Sequence, residues 1–216
     1  MIIKDVPYFM TNSKICGRFA PTPSGRIHLG NIFCSLLAWL HAKSQGGEIV
    51  LRIEDLDKVR CPRPNADLLA KDLEWLGLTW DKGAYVDADS ERYFQSQRFD
   101  IYAEHFSKLE EQGLIYPCFC TRGQLHAAEA PHLSDGRILY AGTCKNLTAS
   151  ERLERAKTRQ PAYRLSVNDK PICFTDGNYG EQSYNLMEES GDFIVRRSDG
   201  VYAYQLAVTI DDALMG

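Results

Sequence analysis

Apolar residues recur at positions 32, 33, 36, 37 and 40. That helical spacing predicts a helix from Asn31 to Gln45, and Gly46-Gly47 supplies the stop. Residues 16 to 22 upstream read as a buried strand, and Glu48 to Ile53 downstream as a second, β-rich one. Pro64 to Leu76 predicts another helix, with Pro64 near its start and Gly77 just past its end. Ser90 is placed to cap a further helix, with Glu91 in its first turn and a helical pattern running to Gly113. Strands alternating with helices imply a parallel α/β sheet.

The pattern changes from Tyr116. Residues 117 to 147 are rich in Cys, Gly, His and Pro and carry little periodicity. Two short β-like runs follow, Ala162 to Val167 and Ile172 to Thr175. Phe193 to Tyr204 reads as a hairpin turning on Ser198-Asp199-Gly200, and Gln205 to Ile210 as a core strand. Residues 1 to 15 are irregular and predict an N-terminal extension. The economical reading is a Rossmann-type α/β fold whose first half spans residues 16–95. An insertion at 96–191 interrupts it, and residues 192–216 begin its second half. There is no internal repeat.

Two stretches carry chemistry. Arg18-Phe-Ala-Pro-Thr-Pro-Ser-Gly-Arg-Ile-His28-Leu-Gly30-Asn31 places a strand end, two prolines and a glycine before a helix. First-turn N–H groups lack partners inside a helix, so they point at an incoming phosphate. Gly30 lets backbone approach a ligand, and His28 can donate to a phosphate oxygen. The strand Leu51-Arg-Ile-Glu-Asp-Leu-Asp57 then ends in carboxylates, of which Asp55 and Asp57 suit a capping or solvating role as well as binding. The second stretch is Cys118-x-Cys120 followed by Cys144. A Cys-x-Cys knuckle projects two thiolates toward a tetrahedral metal such as zinc, and a later cysteine helps close the site. His126 and His132, within the intervening loop, are rival ligands. Cys16, Cys34, Cys61 and Cys173 lack such neighbours and read as core or neutral thiols.

Arg18-Phe-Ala-Pro-Thr-Pro-Ser-Gly, His28-Leu-Gly-Asn and Arg52-Ile-Glu-Asp-Leu-Asp, in this order and spacing, resemble the signature of the glutamyl-tRNA synthetases. These are class I aminoacyl-tRNA synthetases. The resemblance continues at Gln97-Arg-Phe-Asp-Ile-Tyr102, Tyr116-Pro-Cys-Phe-Cys-Thr121 and Gly191 to Asp212. It implies a class I catalytic fold with a zinc-containing insertion, and activation of glutamate by ATP with Mg²⁺. His28, Gly30 and Asn31 would bind ATP, with His28 and Asn31 catalytic; family members often have a second His where Asn31 stands. Arg18 would meet the glutamate carboxylate, together with Phe19, Ala20, Pro21 and Thr22. Glu54 would hold the α-ammonium, and Tyr204 would close the pocket.

The resemblance also bears on the metal. Full-length members often end the site with Cys-x-His, but Asn146 stands two residues past Cys144 here. Tyr140-x-x-x-Cys144 is similar to the short paralogues, the glutamyl-Q tRNA(Asp) synthetases, in which a tyrosine completes the set. Structural zinc on Cys118, Cys120, Tyr140 and Cys144 is therefore implied, with transfer of glutamate to the queuosine of tRNA(Asp). An ordinary glutamyl-tRNA synthetase charging tRNA(Glu), or a zinc-stapled module that binds without chemistry, are the alternatives. The family's Lys-Met-Ser-Lys-Ser-like loop would lie beyond Gly216, so these residues are expected to be part of a longer catalytic fold.

Composition adds boundaries. The chain has 216 residues, 44% hydrophobic and 25% charged, which suits a globular domain. No run approaches a membrane-spanning length, and no basic-then-apolar leader opens the chain, so the cytoplasm is the expected compartment. Seven cysteines, an odd number, suit reduced thiols. A net charge of −4 does not favour nucleic acid, though a local basic face is enough for tRNA. Glu151 to Arg159 is a candidate for that face, but its alternating signs also suit a solvated helix. A monomer is expected.

Overall fold

The computed structural model describes residues 14–127 and 139–215. Its contacts divide the chain into two compact units, meeting in sequence at Arg98 and Phe99.

The first unit is a parallel sheet with helical crossovers. β1 (Cys16–Phe19) leads through α1 (Leu29–Ser44) to β2 (Glu48–Leu51). α2 (Arg63–Trp75) then leads to the short β3 (Lys82–Gly83). The order is β1-β2-β3, with Phe19 opposite Leu51 and Leu51 opposite Gly83. Phe19, Ile49, Leu51 and Ile53 are buried almost completely and make the core. Their burial is the main favourable term holding the sheet to its helices. β1 ends three residues short of expectation. Pro21 and Pro23 follow it, and neither can donate a ladder hydrogen bond. The chain there turns through a bond from Ser24 N–H to the Thr22 carbonyl, and α1 begins at Leu29 rather than Asn31.

The helix expected from Ser90 to Gly113 is broken. Two single turns, Ser90–Tyr93 and Gln95–Gln97, precede α3 (Phe99–Glu111). Phe94 interrupts them because it is extended and forms a parallel bridge with Ile53. Ser90 is the first residue of its turn and not the cap.

The second unit begins with α3 and continues through β4 (Ile115–Cys118), α4 (Arg122–Ala127), α5 (Ala149–Thr158) and β5 (Ala162–Leu165). β6 (Pro171–Asp176) and β7 (Gly180–Asn185) form a separate hairpin. α6 (Leu186–Glu189), β8 (Ile194–Arg196) and α7 (Tyr204–Met215) complete it. β4, β5 and β8 make an antiparallel sheet in that order. Phe106, Tyr163 and Tyr202 pack edge-on or tilted around one another. Tyr102 O–H donates to the fully buried Asp211 carboxylate at 2.8 Å, tying α3 to α7.

Two expectations fail here. Gln205 to Ile210 is helix, not strand. Leu206, Ala207, Ile210 and Asp211 are buried, a one-sided helical spacing that a six-residue window could not separate from a buried strand. The hairpin at Phe193 to Tyr204 is correspondingly reduced. Its turn closes through Arg197 and Val201, but the return side makes only a single bridge, Arg196 with Tyr202, before α7 begins. No helix among the described residues is long and apolar enough to cross a membrane.

Gly83 has φ +109°, and a Cβ there would collide with the Leu51 carbonyl oxygen. Gly83→Ala is therefore expected to lower stability by about 2 kcal/mol or more, read as a drop in the denaturant midpoint.

Candidate functional site

The two prolines that end β1 turn the chain so that α1 starts beside the strand's C-terminal end. The result is a depression of about 380 Å³ lined by Arg18, Phe19, Ala20, Pro21 and Asn31, with Cys34, Ser35 and Ala38 from α1. Five of the residues expected to bind glutamate or ATP thus share one surface. Arg18 and Thr22 are exposed. His28 is also exposed and is the N-cap of α1, its carbonyl accepting the first helical bond from Ile32 N–H at 3.1 Å. Gly30 lies in the first turn, where a Cβ would press on the His28 ring at 3.2 Å. A sixteen-residue helix with no acidic side chain in its first turn leaves that end favourable to an anion.

The carboxylates after β2 separate into different roles. Glu54 is buried and its Oε1 accepts from Arg52 at 3.0 Å. Asp55 is buried too, accepting from Ser96 N–H at 2.9 Å and Ser96 O–H at 2.7 Å. It anchors the turn before α3 instead of sitting in solvent. Asp57 accepts from Arg60 N–H at 3.2 Å and caps a local turn. Tyr204 is the first residue of α7, in the second unit, and is 55% exposed.

The metal candidates converge within the second unit. β4 carries Cys118 at its end, and the knuckle brings Cys120 back beneath it. The Cys118, Cys120 and Cys144 sulfurs all lie within 4.8 Å of one another. Tyr140 O–H lies 3.4 Å from Cys118 Sγ and 3.9 Å from Cys120 Sγ, and Cys120 Sγ is 3.6 Å from Cys144 Sγ. Tetrahedral zinc, with bonds of about 2.3 Å to sulfur and about 2.0–2.2 Å to oxygen, has edges of roughly 3.8 Å between sulfurs and 3.5 Å from sulfur to oxygen. The four groups therefore fit a tetrahedral ion. Backbone N–H groups aim at the same atoms, Phe119 N–H at Cys144 Sγ (3.4 Å) and Cys144 N–H at Tyr140 O (2.9 Å). His132 and the His126 side chain lie outside the described residues.

The electrostatics favour a thiolate at Cys118 and oppose ionisation of its neighbours. Burial alone would raise the Cys118 pKa, but contacts from Tyr140 and Arg164 outweigh it and bring the thiol below its ordinary value. Burial, with the Cys118 charge beside it, pushes Cys120 up to about 11. Burial and the same charge hold Tyr140 above the ordinary phenol value. A bound cation reverses that logic by stabilising every ionised ligand at once. Of the remaining cysteines only Cys61 is buried; Cys16, Cys34 and Cys173 are exposed, so they are not core residues. All seven are free.

Sequence reasoning missed the groups around this centre. Arg164 on β5 is buried and donates from Nε to Cys118 Sγ at 3.3 Å. Asp192 is buried and accepts from Tyr116 O–H (2.7 Å) and Val167 N–H (2.8 Å), and Lys145 pairs with it at 2.9 Å. An arginine inside a short apolar strand was the available signal for Arg164. α5 has no buried residues, and a capping box of Thr148 and Glu151 starts it. Its Arg155, with Thr158 and Arg159, lines an open cleft of about 680 Å³ beside Cys120 and Tyr140.

Residues 14–216 match the family described as tRNA synthetases class I (E and Q), catalytic domain. The chain belongs to this family. As a class I catalytic domain it is 48% identical over 205 residues to a glutamyl-Q tRNA(Asp) synthetase of Symbiobacterium thermophilum. That alignment covers 94% of this chain and 63% of the relative. It is 41% identical to glutamate–tRNA ligase 2 of Alkalilimnicola ehrlichii, covering 96% of this chain and 44% of that protein. A solved glutamate tRNA ligase from Elizabethkingia meningosepticum, in complex with its amino acid, superposes with a TM-score of 0.73 at 30% identity. That match covers 94% of this chain and 42% of the solved one. The chain thus spans less than two thirds of the length of these relatives.

Within this synthetase domain, Asp192 gives a pH prediction. Burial would raise its pKa, but the bonds from Tyr116, Lys145 and Val167 N–H outweigh it and hold the carboxyl below its ordinary value. A lowered folded pKa contributes stability that is complete above the unfolded value of about 3.9 and is lost as pH falls through the folded one. Asp192→Asn should cost about 2 kcal/mol at neutral pH and flatten the acid limb of the stability curve. Urea titrations from pH 7 to pH 3 read both effects.

Proposed function

We propose that this domain activates L-glutamate with ATP, without tRNA, and serves a glutamyl-Q tRNA(Asp) synthetase. The observation that carries the reading is the depression where Arg18, Phe19, Ala20, Pro21 and Asn31 meet at the start of α1. The glutamate α-carboxylate attacks the α-phosphorus of ATP, forming glutamyl-adenylate and releasing pyrophosphate. Such chemistry depends on positioning and on charge stabilisation. Arg18 pairs with the substrate's side-chain carboxylate, and its planar fork discriminates against the amide. Thr22 lies two residues past Ala20 on the same loop and completes that wall. The α-ammonium is held by Glu54, a carboxylate that it shares with the Arg52 guanidinium. His28 and Asn31 donate to the reacting phosphate, and Gly30 admits it to the α1 N-terminus; Mg²⁺ accompanies the nucleotide. Residues 96–191 are the insertion. A hydroxyl of the queuosine of tRNA(Asp) attacks the acyl carbon of the adenylate, taking the glutamyl group as an ester while AMP leaves, and the protein acts as a monomer in the cytoplasm.

Structural zinc on Cys118, Cys120, Tyr140 and Cys144 belongs to this reading. The tyrosine oxygen among three sulfurs supports it, as does Asn146 where many full-length relatives are expected to carry a histidine ligand. When bound, zinc staples the knuckle and supplies no reacting group. The alternative, an ordinary glutamyl-tRNA synthetase, is kept in view by the 41% identity to a glutamate–tRNA ligase, below the 48% to a glutamyl-Q tRNA(Asp) synthetase.

Glutamate-dependent ATP–pyrophosphate exchange tests the activity, on this chain and on any longer product of its gene. Exchange without tRNA supports the reading; exchange only in the presence of tRNA(Glu) moves it to the ordinary synthetase. Arg18→Ala should abolish exchange, a loss of roughly 10³-fold or more, with fold and zinc content unchanged. Glutamate affinity equal to the parent's would refute the pocket assignment. Cys118→Ser should lower zinc content and the melting temperature of the second unit, since structural zinc contributes folding energy. Equal stability with and without chelator would remove zinc from the picture.

A further inference from the structure

Arg164 makes three contacts with one planar group. Its guanidinium carbon sits 3.7 Å from the centre of the Tyr140 ring. Nε donates to Cys118 Sγ at 3.3 Å, and Nη1 donates to the Asp192 carbonyl oxygen at 2.7 Å. The residue is only 6% exposed. β-pairing fixes its base, because Arg164 stands opposite Tyr116 on β4, two residues before Cys118. A buried arginine stays charged, and its fork holds a plane in a way that a lysine ammonium cannot.

Resting on the zinc reading above, we propose that Arg164 is the positioning residue that makes Tyr140 an oxygen ligand of the Cys118–Cys120–Cys144 centre. Three thiolates around a divalent ion already carry a net negative charge. A tyrosine oxygen adds electron density to that set and is a weaker competitor than a fourth thiolate. Two features offset this. The stacked guanidinium fixes the ring plane, so the phenol oxygen stays within 3.4 Å of Cys118 Sγ. The same cation neutralises part of the charge, in direct contact with a ligand sulfur. The bond to the Asp192 carbonyl locks the guanidinium, and Asp192 is itself held by Tyr116 and Lys145. Tyr140 is thus oriented from behind by a residue that does not touch the metal.

The test uses the full chain loaded with zinc and, separately, with cobalt(II). Zinc affinity is read by competition with a chromophoric chelator, and ligand geometry by the visible cobalt spectrum. Three variants are compared with the parent: Arg164→Lys, Tyr140→Phe, and the two combined. Arg164→Lys keeps the charge and loses the fork. It should fold with parental circular dichroism, weaken zinc by roughly 10- to 100-fold, and give the cobalt spectrum of Tyr140→Phe. In the double variant the two losses should combine to less than their product, because both remove the same oxygen. A parental cobalt spectrum in Arg164→Lys, or losses that multiply, would overturn the proposal while leaving the zinc reading intact. Failure of the parent chain to take up either metal would bring down both.

Should the lysine variant fail to fold, the parent chain loaded with cadmium-113 decides. A scalar coupling from the Arg164 Nε proton to the metal, through Cys118 sulfur, supports the contact, and its absence overturns it.

Discussion

Three sulfurs and a phenol oxygen gathered within bonding range of a common centre constrain most of the second unit. Burial opposes ionising such a cluster, so its groups become anions together only where something cationic sits against them. Arg164 is the fixed part of that compensation, and a metal ion would be the rest. Much of the local architecture follows. β5 must pair with β4 in the register that places Arg164 opposite Tyr116, two residues before Cys118. Asp192, just before β8, must present its carbonyl to the guanidinium, and its carboxylate is then held by Tyr116 and Lys145. Lys145 follows Cys144 directly, so the loop carrying the last thiol is pinned to the sheet that carries the first.

The first unit answers a different constraint. The nucleotide site proposed for it needs backbone donors at an open helix end, and these cannot be buried beneath side chains. Pro21 and Pro23 produce that opening by stopping β1 before the strand would run past the helix. Gly17 and Gly83 allow the packing behind it. A Cβ on Gly17 would meet the Ile49 side chain at 2.8 Å, and Gly83 passes close under the Leu51 backbone. The carboxylates after β2 show how burial sorts chemically identical groups. Asp55 is consumed by Ser96 and organises a turn, whereas Glu54 pairs with Arg52 close to the strand end.

The elements that could be read from sequence were those with a long or punctuated pattern. α1 shows five apolar positions at helical spacing with glycines after it, and α2 shows a proline at one end and a glycine at the other. α7 could not be read in this way. Gln-Leu-Ala-Val-Thr-Ile suits a buried strand and a buried helix equally, and only the packing of Leu206, Ala207 and Ile210 against one side decides. Phe94 broke a convincing helical pattern because a single bridge to Ile53 outweighed local propensity. Among site residues, the cysteines announced themselves by spacing, whereas Tyr140 came only through a family resemblance. Arg164 lies 46 residues from Cys118 in sequence, and nothing local marks the two as neighbours.

The two centres divide their labour through openness. A structural zinc site is closed by four protein ligands, and a catalytic one keeps a position for water or substrate. On the proposed zinc reading, Tyr140 would fill the corner that a catalytic ion leaves vacant, with the Cys144 N–H at 2.9 Å from its oxygen. A zinc ion so enclosed has no coordination position to offer a carboxylate or a phosphate. The depression at α1 has the opposite character, open and lined by an exposed guanidinium, while the exposed His28 caps the helix start nearby in sequence. The proposed anion chemistry is accordingly assigned to the first unit. With zinc bound as proposed, the second unit would hold its knuckle in one conformation, and the Arg164 guanidinium over the Tyr140 ring would orient the one ligand that is not sulfur.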